Sequence, residues 1–300
     1  MSAVKTCVAL AKRELWENRS LWIVQLVIAA ALMLTILWGM GALIWARLSG
    51  FLVNHTGDIN MANVHSAVIG GAVLFNVALV LLAWFYLMDA LYADRKDRSV
   101  LFWRSLPVSD TATVLSKLFT AMVTAPAIAF MVIVGFEIVA GLLMGLGGAL
   151  TGLNLFAQIF HPDGIIIAWI TLAFAFIVQS LWLMPYYGWF LLCSAWAKKL
   201  PLAWTVLVPL GAFAVEGIVL HSHYLWDIIV GHLGRWFTML GSKGIAVETL
   251  QGKTFEHHGE LMTIGSVADY LMHPEIWIGV VVGAIFVAGA IWLRRHRSEI

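Results

Sequence analysis

An all-α membrane protein with six transmembrane helices is the fold class this sequence predicts, and three observations predict it. Of 300 residues, 61% are hydrophobic and only 12% are charged, whereas a soluble domain carries roughly 25% charged residues. Mean hydropathy is +0.90. The apolar residues gather in six runs, at 21–45, 69–90, 119–146, 165–192, 202–220 and 276–293, each close to the ~20 residues that cross a hydrocarbon core. None has the ten-residue alternation of a membrane strand. Because a bilayer interior leaves no partner for an open backbone, each run is expected to be helical. The chain reads as one transmembrane domain over residues 1–300.

Basic residues give each end of each run a side. Lys12, Arg13, Arg95, Lys96, Arg98, Lys117, Lys198, Arg294 and Arg295 fall in alternate segments, and the opposite segments hold only Arg47, Arg235, Lys243 and Lys253. Both termini, the second-to-third connection and the fourth-to-fifth connection are therefore expected in the cytosol. That placement fits an integral plasma-membrane protein, such as one of a bacterial inner membrane. Trp22, Trp45, Trp196, Trp204 and Trp292 lie near the ends of runs, where indole rings favour the headgroup zone. Residues 1–20 are charged and precede a run too long for a signal-peptide core, so they are expected to be retained. Val4, Cys7, Val8, Ala11, Leu15 and Trp16 recur there at helical spacing, beside Lys12, Arg13 and Glu14 on the polar side. An interfacial helix on the inner leaflet is expected. In the external segment 221–275, Leu225, Ile228, Ile229, Leu233, Trp236, Phe237 and Leu240 form a second such stripe.

Other function classes find little support. A net charge of +1 with cations confined to the ends of apolar runs gives no nucleic-acid surface. Cys7 and Cys193 have no CxxC spacing. The external histidines His221, His223, His232, His257, His258 and His273 lack HExxH or any other closed metal-site spacing. No metal or cofactor is expected in this chain. There is also no GxxxxGK[ST] phosphate loop.

Segment 94–117, DRKDRSVLFWRSLPVSDTATVLSK, is the most informative stretch. Asp94 and Arg98 stand four apart, Val100, Leu101 and Trp103 supply apolar surface, and Pro107 ends the helical pattern. Ser109 or Asp110 is placed to cap a new helix. This segment resembles the second-to-third connection in permease subunits of type-2 ATP-binding-cassette exporters. Arg95 and Arg98 match the family's basic start, 101–106 its leucine-rich helix, Leu106-Pro107-Val108-Ser109 its turn, and Lys117 the lead-in to the next span. Six spans, cytosolic termini and a longer external segment before the last span match as well. Ser99-Val100 replaces the family's glycine position, and Asp110 replaces its usual basic residue.

The resemblance implies a transport subunit without its own ATPase activity. It would work with a second permease copy or a paralogue and with a separate ATPase subunit, which binds ATP and Mg. Residues Arg95, Arg98, Leu101, Phe102, Trp103, Leu106 and Pro107 would couple the ATPase to the spans. Within the bilayer, Glu137 and Glu216 are costly acids, so they are expected to line or gate the substrate path unless they are structural carboxyls. Two rivals exist. One is a membrane-embedded enzyme using those acids and the external histidines, and the other is a scaffolding membrane subunit. Pro126, Pro185 and Pro209 are expected to kink spans, and Gly135, Gly141 and Gly145 to permit close packing of the third.

Overall fold

Among the described residues, six helices are long and apolar enough to cross a membrane. A computed structural model of the chain describes residues 12–49, 61–96, 109–151, 156, 159–160, 162–240 and 263–296. After a helical turn at 12–17, the first span is α1, Ser20–Leu48, and the second is α2, Met61–Lys96. The third begins with α3, Asp110–Phe119, passes through a π-helical turn at Thr120–Thr124, and continues as α4, Ala125–Thr151. The fourth is broken into α5, Pro162–Trp182, and α6, Met184–Trp196. The fifth is α7, Pro201–Val215, ending in a second π-helical turn, Glu216–Leu220. Then come the amphipathic α8, Tyr224–Leu240, and α9, Ile264–Met272, before the sixth span, α10, Pro274–His296.

Each apolar run of the sequence lies within one of these six spans, but the second and third spans outrun their apolar stretches. The third candidate span covers 41 residues, which is ~61 Å of helix against a hydrocarbon core of ~30 Å. Its extra length at the start is α3, a helix with one polar and one buried face. Ser109 caps it, its hydroxyl accepting from Ala112 N at 3.1 Å, and Asp110 sits in the first turn. Acceptor and acid both favour a helix N-terminus.

The breaks follow from proline. Pro126 has no N–H to offer the Met122 carbonyl four residues back, and the helix widens into the π turn just before it. The freed carbonyl is met from the neighbouring span: the Ser180 hydroxyl lies 2.8 Å from Met122 O and 2.9 Å from Phe176 O. Pro185 likewise follows the interruption at Leu183, whose φ and ψ are −84° and 0°. Pro209 lies inside α7 without ending it.

Close packing centres on the crossing of α6 and α10. A Cβ at Gly188 would stand 2.5 Å from Gly283 O, and one at Gly283 would stand 2.5 Å from Met184 O. Only glycine lets the two backbones approach so far, the usual device for joining helices in lipid. In α4, Gly141 and Gly145 meet Phe160 and Phe156, while a Cβ at Gly135 would meet nothing within 4 Å. Among the described residues, the packing role expected of Gly135 therefore finds no partner. Between spans, Asn76 Nδ2 donates to Gln179 Oε1 at 2.7 Å, both residues being buried.

Candidate functional site

The chain ends that the basic residues assign to one side do meet at one end of the bundle. The last turn of α2 brings Asp94 and Arg95, the first turn of α3 brings Asp110 and its last turn Lys117, and the last turn of α10 brings Arg294. Residues 12–17 bring Glu14. In α3 the buried residues are Thr113, Val114, Lys117 and Leu118, one helical face, so the ammonium of Lys117 is carried inward with the apolar side chains.

There it bridges two acids. Lys117 Nζ lies 3.2 Å from Glu14 Oε1 and 3.4 Å from Asp94 Oδ1. Arg294 then continues the chain of charges, with Nη1 3.1 Å from Asp94 Oδ2 and Nε 3.0 Å from Asp110 Oδ1. Tyr86 donates its hydroxyl to Glu14 Oε2 at 2.7 Å. The order Glu14, Lys117, Asp94, Arg294, Asp110 alternates in sign throughout. Side-chain exposure is 1% for Glu14, 4% for Lys117, 9% for Asp94 and 7% for Arg294, rising to 27% at Asp110. Charges so far from water persist only when each has an opposite partner and further hydrogen bonds. The sequence pattern set Glu14 on the polar side of an amphipathic turn, and the structure corrects this by burying it against Lys117 and Tyr86.

Arg95 is committed beside this network. Its Nη2 donates to Ser194 O at 2.6 Å and to Ala197 O at 2.8 Å, carbonyls at the C-terminal end of α6 where a cation is favoured. Ser194 Oγ accepts from Leu91 N and Tyr92 N, both at 3.0 Å. The end of the second span is thus fastened to the end of the fourth. Arg98, Leu101, Phe102, Trp103, Leu106 and Pro107 lie outside the described residues, but both flanks of their segment enter the charged junction.

The opposite end is built differently. Glu216, 4% exposed, accepts from Ser222 Oγ at 3.0 Å and, through Oε1 and Oε2, from Leu225 N at 3.1 and 3.0 Å. It lies at the first turn of α8, where a carboxylate meets the free N–H groups of the helix. Arg235 pairs with Glu275 at 2.7 Å. Glu137, half-buried between α4 and α5, accepts from Trp169 Nε1 at 2.7 Å. The two acids therefore engage different partners.

On α8 the buried positions include His232 and Trp236, while Leu225 and Ile228 are exposed. The packed face is rotated from the stripe that hydrophobicity suggested. His232 stacks on Trp182, ring centroids 4.3 Å apart and planes at 5°. Its Nε2 lies 2.9 Å from Trp182 O, and Trp182 Nε1 donates to His232 O at 3.0 Å. A carbonyl only accepts, so Nε2 carries the proton. Burial holds this imidazole below its ordinary pKa, and Arg235 adds to the effect. The Trp182 hydrogen bond and Glu275 oppose it. His257 and His258 lie outside the described residues. Among the described residues no group of three or more His, Cys, Asp or Glu is placed to hold a metal.

Among the described residues, Glu14, Lys117, Asp94, Arg294 and Asp110 are each paired with an oppositely charged neighbour in this junction. What it can do is transmit position between four chain segments. No family model, curated protein or solved structure matches the chain.

Proposed function

We propose that this chain is the membrane-spanning subunit of an ATP-binding-cassette exporter, seated in a plasma membrane with both termini cytosolic. It moves an amphipathic substrate such as a peptide, lipid or drug. Energy comes from a separate ATPase subunit that binds ATP and Mg, and the path is shared with a second copy or a paralogue. One observation carries the reading. Asp94, Asp110 and Lys117 of segment 94–117, which resembles an ATPase-coupling connection, are tied by buried charges to the N-terminal turn and to the last span. Motion imposed on that segment would therefore reach several spans at once. The enzymatic rival needs converging polar groups, and Glu137 and Glu216 are engaged on different helices.

Truncating an aromatic or leucine anchor at a partner interface costs about 2 kcal/mol or more, roughly thirtyfold in affinity. Replacing Leu101 and Trp103 together by Ala should release the ATPase, or uncouple transport from ATP, at normal membrane levels of the six-span chain. Pro107→Ala should act more mildly. Copurification of a nucleotide-binding subunit and ATP-dependent transport are the two measurements. Wild-type behaviour of the double variant in both would remove the proposal's main support.

A further inference from the structure

Arg294 occupies an unusual place in the junction. It belongs to the last turn of the last span, yet its guanidinium touches a residue on each side of the coupling segment: Asp94 near the end of α2 and Asp110 at the start of α3. These partners lie 200 and 184 residues away in sequence. The fork geometry of a guanidinium allows this, since Nη1 and Nε donate in fixed, diverging directions, whereas a lysine offers one point charge. Asp94 is held twice, by Arg294 and by Lys117, and Lys117 reaches on to Glu14. Directly after α3 the helix passes into the π turn at Thr120–Thr124, followed by Pro126. That stretch replaces the α-helical pattern with wider bonding, Ala125 N donating to Thr120 O, and its Met122 carbonyl accepts from the Ser180 hydroxyl.

We infer that Arg294 is a positioning residue that brackets the two ends of segment 97–108. It fixes their spacing and makes α3, the end of α2 and the end of α10 move as one body, with the π turn as the joint to α4. The bracket itself follows from the ion-pair geometry. Its service in coupling rests on the exporter reading above.

The test uses the full chain in lipid nanodiscs, with Cys7→Ser and Cys193→Ala removing the native thiols. Spin labels go on Lys96→Cys and Leu115→Cys, two exposed positions flanking the bracket. The unaltered bracket should give a single narrow distance distribution. Arg294→Gln should broaden it, and Arg294→Lys should broaden it while keeping normal membrane levels, because an ammonium lacks the fixed, diverging donors that hold Asp94 and Asp110 at a set separation. Asp110→Asn, at the more exposed end of the network, should broaden it with the least risk to folding. The exposed Lys198→Gln serves as control and should change nothing.

With the ATPase present, Arg294→Lys and Asp110→Asn should lower ATP-dependent transport about tenfold, the scale of a typical coupling energy, without releasing the ATPase. A narrow, unshifted distribution in Arg294→Lys and Asp110→Asn would overturn the bracket. Broadening with unchanged transport would overturn its role in coupling. If Leu101 and Trp103 prove dispensable while the distances broaden, the exporter reading fails and the bracket stands, so the two failures are separable.

Discussion

The two ends of the helical bundle are held by different physics. At one end, five acidic and basic side chains from four chain segments form one alternating series, and four of them are almost wholly buried. At the opposite end, the contacts are local, neutral or exposed. Glu216 spends its oxygens on groups six and nine residues away, His232 on a carbonyl, and the Arg235–Glu275 pair is about half exposed. An exposed pair contributes little, whereas a buried one strongly penalises any arrangement that separates it. The charged end is therefore built to keep its spacing, and the opposite end to be rearranged at small cost. Under the proposed exporter reading, with the charged end cytosolic, that is the useful asymmetry.

The comparison breaks most severely at Lys117. Lys117→Met leaves Glu14 and Asp94 facing each other without their shared cation and should destabilise the protein by about 3–5 kcal/mol. Denaturation of purified protein in mixed micelles reads this directly. Adding Glu14→Gln should recover part of the loss, because one unpaired charge is then removed.

Next in size is the glycine crossing of α6 and α10, which ties the inner junction to the rest of the bundle. Gly283→Ala sets a methyl 2.5 Å from Met184 O and should cost about 1–3 kcal/mol through displaced backbone. The same unfolding assay measures it, and Gly135→Ala, with open space around it, should be close to neutral.

Acid sharpens the contrast at the outer end. Because burial lowers the His232 pKa, the folded state prefers the neutral imidazole. The stability this gives is fully present above the ordinary histidine value and is lost as pH falls through the lowered one. Docking of α8 on Trp182 should accordingly loosen in acid, seen as faster hydrogen exchange across 224–236. His232→Phe should remove that pH dependence.

The smallest structural effect is expected for Glu216→Gln. A glutamine keeps one oxygen to accept from Leu225 N, so stability should change by less than about 1 kcal/mol. In the exporter reading, substrate-stimulated ATP hydrolysis should shift more than assembly does. Equal stimulation across substrates would leave Glu216 with only its helix-capping role.

Much of the fold was legible because lipid imposes a simple pattern. All six apolar runs became helices, and Ser109 caps α3 as its type and place suggested. The junction was not legible. Lys117 read as a lead-in, Glu14 as surface, and Arg294 as one more cation at a chain end, since ion pairs between segments some 100 to 200 residues apart leave no local periodicity. The available clue was the presence of Glu14, Asp94 and Asp110 in segments that otherwise carried excess base. His232 was missed for a related reason: a hydrophobic stripe takes no account of a carbonyl left open at a helix break elsewhere in the chain.

Sidedness is the claim on which the whole contrast depends, and one experiment addresses it directly. In intact cells, a membrane-impermeant maleimide is applied to chains lacking Cys7 and Cys193 and carrying either Lys96→Cys or His223→Cys. The account predicts labelling of position 223 from outside, and of position 96 only after the cytosolic face is opened. Labelling of position 96 in intact cells would place the charged junction outside, out of reach of any ATPase, and would contradict the account.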